Sequence, residues 1–309
     1  MKKAAFIYIA VAGIFWGTSG IFVNLLAPYG FSSFQMTAVR ALVSFLAMAI
    51  YTLITDRRLF RVKLSELPFY ILLGLSLFGT AVCYYSSMQM ASVSVAVVLM
   101  YTAPIYVMIF SVAFLGEKIS PIKLVSVALM LLGCCLVSGI IGGMSFHVGG
   151  ILIGALSGII YAFYNIVAKI SFRRESHPQT ATLYSFLTMA IVAAFFSEPS
   201  TLFGRVAAAP MQTVPLLIGL GICTFVIPYF LYNLAMKELP AGTASALGII
   251  EPMAATVFSV VIFHEQLGWL SLGGIIMILL AVVLLGLAEN RHNESVSEAS
   301  AEVREEVKK

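Results

Sequence analysis

The chain has 309 residues and a formal net charge of +4; 61% of its residues are apolar and only 10% are charged. Soluble domains carry roughly 45–50% apolar and about 25% charged residues, so these charges are too few to cover a water-facing surface. The composition excludes a soluble enzyme, a nucleic-acid-binding domain and a disordered chain, and the mean hydropathy of +1.01 points to a lipid bilayer as the solvent.

A spanning helix needs about 20 apolar residues, and ten such runs are predicted. The first, 4–27, follows Lys2 and Lys3, carries Gly13, Trp16, Gly17 and Asn24, and is longer than the ~7–15-residue core of a signal peptide. The second, 31–55, holds Arg40 in its interior. The third, 67–88, carries Tyr84 and Tyr85. The fourth, 91–115, contains Tyr101 and Pro104 and leads into Glu117. The fifth is 121–141. The sixth, 147–169, has glycines at 150, 154 and 158 and then Tyr161 and Asn165. The seventh is 178–197. The eighth, 211–236, carries Tyr229, Tyr232 and Asn233. The ninth, 240–263, carries Glu251 and Pro252 and leads into Glu265, and the tenth is 268–288. Residues 289–309 form a polar tail with six Glu and four Lys or Arg. Backbone groups in hydrocarbon must pair within their own segment, and runs such as 121–141 lack the alternation of barrel strands. The expected fold class is therefore all-α integral membrane.

Charge orients the bundle. With the N-terminus inside, 16 of the 18 Lys and Arg residues fall in the inner segments and the tail, one, Arg205, falls outside, and Arg40 lies within a span. This bias predicts both termini in the cytoplasm and a multi-pass protein of the cell membrane. Cys83, Cys134, Cys135 and Cys223 all fall inside spans, without a CxxC pair or a Cys/His ligand spacing. They read as small apolar packing residues.

The chain repeats itself. A shift of 148 lays 78–131 on 226–279, placing Pro104, Phe110-Ser111-Val112 and Glu117 on Pro252, Phe258-Ser259-Val260 and Glu265. Earlier in each half the shift is slightly smaller, so that Gly13 meets Gly158 and Gln35 meets Gln179. Each half has five spans, an odd number, so the second half starts from the opposite side of the membrane. The expected architecture is ten transmembrane helices in two inverted five-helix repeats, 4–141 and 147–288, a layout suited to alternating access.

Trp16-Gly17, Arg40, Gly79-Thr80-Ala81 with Tyr84-Tyr85, Pro104 with Gly116-Glu117, Tyr229 through Ala235, and Glu251-Pro252 with Glu265 together resemble an EamA-type member of the drug/metabolite transporter superfamily. The resemblance covers nearly everything except the tail. It departs at His264, which stands where the first repeat has Gly116. The resemblance implies two EamA-like repeats and a secondary transporter of amino acids, related metabolites or drug-like compounds, working without a cofactor. The implied partners are the bilayer and a small-molecule substrate, with no nucleic acid; protons are a candidate coupling ion. No ATP-binding motif is present, and the sequence names no oligomeric state.

Arg40 and Glu251 each lie about 14–17 Å inside their spans at 1.5 Å per residue, near the middle of a ~30 Å core. Charge at that depth costs at least ~2.5–3.5 kcal/mol, so each should face a cavity or a partner. The two halves differ here, since Arg40 aligns with Tyr184 and Glu251 with Ala103. Arg40 reads either as a carboxylate anchor, through its planar fork, or as a structural group. Glu251 reads as a proton-coupling carboxyl, as a contact for an amino group, or as a partner for backbone freed by Pro252. Trp16, Tyr84, Tyr101, Asn165, Tyr232 and Asn233 are further candidates for the substrate cavity, in the mixture of aromatic walls and a few polar groups typical of ligand pockets. Pro104 and Pro252 read as helix kinks. Glu117 and Glu265 read as locks at the ends of their repeats, for instance on the amides that start the following helix. No catalytic residue or metal ligand is read.

The alternatives are a channel and an intramembrane enzyme. Gly17-Thr18-Ser19-Gly20 fits the GxSG pattern of intramembrane serine proteases, but a serine nucleophile needs a base within reach. His147, His177 and His264 fall at or near helix ends and His292 falls in the tail.

Overall fold

A computed structural model describes residues 2–91, 93–117, 119–137, 147–264, 268–285 and 287. Among these residues there are only helices, turns and coil. Eight helical stretches are long and apolar enough to cross a membrane: Lys3–Tyr29, Ser33–Thr55, Leu67–Met90, Val95–Leu115, Val148–Arg173, Pro178–Phe196, Pro210–Glu238 and Ala241–Ile262. Two shorter apolar helices, Pro121–Val137 and Trp269–Leu285, correspond to the fifth and tenth expected runs. Glu265 and the tail 289–309 lie outside the described residues, as do the last residues of the run 121–141.

Several spans are interrupted, and the interruptions follow the local chemistry. The first divides at Thr18 into α1 (Lys2–Gly17) and α2 (Ser19–Leu26), the Thr18 hydroxyl donating to the Phe15 carbonyl at 2.6 Å. The second, α3 (Ser33–Thr55), opens with a capping box in which Ser32 and Gln35 bond each other's backbone amides. The third is α4 (Leu67–Met90).

The fourth breaks at Tyr101–Thr102 into α5 (Val93–Met100) and α6 (Ala103–Leu115). Pro104 stands in the first turn of α6, where its missing N–H is not needed. Then come α7 (Pro121–Val137), α8 (Val148–Arg173) and α9 (Pro178–Phe196). The eighth span joins α11 (Pro210–Gly221) to α12 (Ile227–Glu238) through a π turn, Ile222–Val226, just before Pro228. The ninth breaks at Gly248–Ile249 between α13 (Ala241–Leu247) and α14 (Ile250–Phe263). The last is α15 (Trp269–Leu285). Pro104 and Pro252 each stand in the first turn of the helix that follows a two-residue turn, and the backbone at Thr102, Gly248 and Ile249 stays in the right-handed helical region.

One helix was not anticipated. α10 (Pro199–Ala208) lies in a stretch expected to be a connector. Leu202 and Val206, on one face of it, pack with Leu26, Phe31, Leu217 and Leu220 in a small separate core. Arg205 donates to the Gly30 carbonyl, and at 2.6 Å to Gln35 Oε1, tying α10 to the start of α3.

The helices meet through small residues, which let backbones approach closely in a membrane. α1 packs on α12 and α14, while α8 packs on α4, α5 and α6. α3 packs on α11, and α9 packs on α4; α3 packs on α9, and α6 on α13. A Cβ on Gly13 would lie 2.9 Å from Ile250 Cβ, one on Gly17 2.7 Å from Ala254 Cβ, and one on Gly158 2.9 Å from the Leu99 carbonyl oxygen. Large apolar side chains such as Ile7, Ile50, Leu132 and Val283 point outward, where a bilayer would cover them.

Candidate functional site

The interruptions converge on one cavity of about 450 Å³. Its walls come from both halves of the chain: α1 and α2, α3, α4, the α5–α6 and α13–α14 breaks, the tip of α7, α8 and the π turn. Where a helix breaks or widens, backbone is displaced and leaves space beside it, which explains why Met100, Gly248 and Thr224 are among the lining residues.

Five of the sequence-predicted cavity residues line this space: Trp16, Arg40, Tyr84, Tyr101 and Glu251. Both kink prolines, Pro104 and Pro252, line it as well. Arg40 reaches it from α3 and lays its guanidinium over the Phe225 ring, 4.2 Å from the centroid. A desolvated cation–π contact of this kind is worth up to about 2 kcal/mol. The contact occupies one face of the guanidinium, while the buried Nε has no hydrogen-bond partner. Glu251 stands in the first turn of α14, where the partial positive charge of a helix start favours a carboxylate. It lies within electrostatic reach of Arg40, and the buried Tyr101 hydroxyl is close to it without hydrogen-bonding geometry.

Aromatic rings form much of the wall. Trp16 meets Tyr229 edge-on at 5.1 Å, and Tyr229 packs on Phe225 at 4.9 Å, so the ring that holds Arg40 is itself held. Thr80, Tyr101 and Ser245 are among the lining residues, and their hydroxyl oxygens are buried with no hydrogen-bond partner among the described residues. Unpaired buried polar atoms are uncommon in native structures, and their grouping here marks a place suited to a polar ligand or water.

Asn165, Tyr232 and Asn233 do not line the cavity; they form a buried polar layer behind its wall. The Tyr232 hydroxyl donates to Asn165 Oδ1, and Asn165 Nδ2 donates to the Tyr161 carbonyl at 2.7 Å. The Tyr164 hydroxyl donates to Asn233 Oδ1 at 3.0 Å, and Asn233 Nδ2 donates to Thr182 Oγ1 at 2.8 Å. Asn165 and Asn233 are 0% and 1% exposed, and their polar atoms are spent on these bonds.

Glu117 Oε1 accepts the amide of Ala241 at 3.0 Å. The amide belongs to the start of α13, in the other half of the chain, not to the helix that follows Glu117. Ser19 also lines the cavity, whereas His147 and His177 cap α8 and α9, and His264 ends α14.

Phe225 and Thr224 were not singled out from the sequence. The available signal was Pro228, which stands in mid-span and leaves the Thr224 carbonyl without its usual helical amide.

The EamA-like transporter family model matches residues 3–139 and again 148–287. The chain belongs to the EamA-like transporter family. A protein of Archaeoglobus fulgidus called an uncharacterized transporter is 29% identical over 279 residues, covering 89% of this chain and 94% of its own length. The threonine/homoserine exporter RhtA of Escherichia coli K12 is 29% identical over 219 residues, covering 69% of this chain and 70% of its own. A solved crystal structure superposes with a TM-score of 0.78 at 19% identity, over 94% of this chain and 99% of that one, and shows the same fold. The chain is thus an EamA-type member of the drug/metabolite transporter superfamily and a multi-pass membrane protein.

Proposed function

We propose that this EamA-family chain is a secondary transporter that carries a small amino-acid-type metabolite across the cell membrane by alternating access. In this reading α7 and α15 complete ten membrane-crossing helices, the two five-helix repeats are inverted, and both termini are cytoplasmic. The carrying observation is a single cavity, walled by both repeats, that holds Arg40 and Glu251 together. Arg40, in the cavity wall, offers its guanidinium to a carboxylate as a planar fork. Glu251 receives the amino group, or takes up a proton as the coupling ion.

The packing supports the inverted layout: Gln179, at the start of α9, donates to Thr52 and Thr55, at the end of its counterpart α3, so these two equivalent helices run antiparallel. Exchanging α1 with α8, α3 with α9, α4 with α11–α12 and α5–α6 with α13–α14 carries the helix contacts into one another. The close approaches follow the same exchange. Gly74 lies against Thr188 as Gly221 lies against Val43, and Gly158 lies against Thr102 as Gly13 lies against Ile250. Two such halves around one site can rock between two states. The substrate class draws on RhtA, whose name gives threonine and homoserine.

The test is counterflow of labelled neutral L-amino acids, threonine and homoserine first, in proteoliposomes. Saturable counterflow supports a carrier; flux without saturation or counterflow indicates a channel. The protease reading would require a base near Ser19, and the described histidines do not line the cavity.

A further inference from the structure

The cavity extends from the Arg40–Glu251 level toward one end of the bundle. Val23, Met88, Val97 and Val137 line that part, at the ends of α2, α4 and α7 and in α5. The same end holds the N-terminus of α8, because Ser87 on α4 donates to the Gly150 carbonyl at 2.8 Å. Lys169 lies 19 residues beyond Gly150 on α8, about 28 Å along the helix at 1.5 Å per residue. It therefore sits at the opposite end, where the cavity has no lining residues.

That opposite end is bolted together both between the repeats and between two packed sets of helices, since α8 packs on α4, α5 and α6 whereas α12 packs on α1. Lys169 is 8% exposed, and its Nζ donates to the carbonyls of Met236 at 2.7 Å, in the last turn of α12, and of Leu239 at 2.6 Å, the residue that follows the helix. A cation is well placed at the negative end of a helix. Arg173 Nη1 donates to the Leu115 carbonyl, the last of α6, at 2.8 Å, and Ala241 donates to Glu117 at 3.0 Å. The last two of these bonds join one repeat to the other.

The repeat supplies the counterpart at the cavity end. The shift that lays Gly13 on Gly158 lays Asn24 on Lys169, and the shift of 148 lays Met88 and Ala91 on Met236 and Leu239. Asn24 is exposed, and Met88 lines the cavity. Equivalent positions of the two repeats are thus a buried lysine at one end and an exposed asparagine at the other.

We infer that Lys169 is a gating residue: its bridge to the end of α12 holds the inner side shut, and Asn24 makes the equivalent, weaker bridge to the end of α4 when the outer side shuts. The unequal donors bias the resting protein toward the state open at the Asn24 end. Lys169 does not contact the cavity, so it acts by setting the balance of two conformations and not by binding substrate. The inference rests on the alternating-access reading.

The test uses the full chain in liposomes with its four native cysteines replaced, and a single reporter cysteine labelled by a membrane-impermeant maleimide. Ala244→Cys, fully buried on α13, reports the Lys169 end. Val97→Cys, in the cavity wall, reports the Asn24 end. With Lys169→Met, labelling at residue 244 should rise by about tenfold, the change in the balance that 1.4 kcal/mol represents, and labelling at residue 97 should fall. Asn24→Lys should likewise slow labelling at residue 97 and raise labelling at residue 244, and it keeps the idea testable where Lys169→Met does not fold. A merely structural lysine would leave both rates unchanged, or raise both together as the protein loosens, and either result overturns the proposal. Counterflow by the unmodified chain tests the transporter reading separately: its loss with intact labelling shifts would fault that reading and not the gate.

Discussion

Gly74 on α4 offers a direct check of how tightly the two repeats are packed. Replacing it with Ala puts a Cβ 2.5 Å from Thr188 Cβ and 2.6 Å from the Ser185 carbonyl oxygen. Neither neighbour is the tip of a flexible side chain, so α4 and α9 must separate. Overpacking of this kind costs about 1–3 kcal/mol, against which Ala regains up to about 1 kcal/mol of helix propensity over Gly. Contacts as short as 2.5 and 2.6 Å put the cost in the upper part of that range, so the net expectation is a loss of about 1–2 kcal/mol. Gly79, five residues along the same helix, is the control. A Cβ there would lie 3.5 Å from Ile160 Cγ2, an ordinary contact, so only the propensity gain remains. Thermal unfolding in detergent, followed by tryptophan and tyrosine fluorescence, should rank the variants Gly79→Ala at or above the parent and Gly74→Ala below it by several degrees. A Gly74→Ala variant as stable as the parent would refute the packing argument.

Three further outcomes follow from the same geometry. Asn233→Leu strands the Tyr164 hydroxyl in a buried layer, while Thr182 keeps its bond to the Pro178 carbonyl. It should cost about 1–3 kcal/mol per unpaired group, read as lower folded yield and melting temperature with transport per folded molecule little changed. Phe225→Leu removes the ring beneath Arg40 and should weaken transport by raising KM several-fold, consistent with about 1–2 kcal/mol of lost cation–π support; an unchanged KM counts against Arg40 as an anchor. Arg205→Ala frees α10 from the Gly30 carbonyl and Gln35. Because that contact is at the surface, the expected loss is only about 1 kcal/mol, detected as faster proteolysis within 198–210.

Much of the architecture was legible because bilayer physics writes it into the chain. Apolar length marked the spans, and the coincidence of Pro104, Phe110 and Glu117 with Pro252, Phe258 and Glu265 marked the repeat. The cost of a charge in hydrocarbon singled out Arg40 and Glu251, and the fold brings both to one cavity. What stayed hidden depends on neighbours. Apolar run length does not distinguish a continuous helix from one interrupted at Thr18, at Tyr101–Thr102 or at Gly248–Ile249, because both forms satisfy hydropathy. Asn165, Tyr232 and Asn233 look like cavity groups by residue type, yet they bond one another and their neighbours behind the wall, since a buried amide can be satisfied by protein as well as by ligand. Lys169 drew notice only as one of the charges that orient the chain, and its bridge to α12 becomes visible only when α8 and α12 are packed together.

The central claim is that the shared cavity is the transport site and Arg40 its substrate anchor. The most direct measurement is counterflow of labelled threonine in proteoliposomes by the parent, Arg40→Gln and Gly79→Ala, each normalised to folded protein. The account predicts saturable counterflow by the parent and by Gly79→Ala, and a loss of at least about tenfold in Arg40→Gln, corresponding to about 1.4 kcal/mol. Threonine counterflow by a folded Arg40→Gln protein at the parental rate and KM would contradict it.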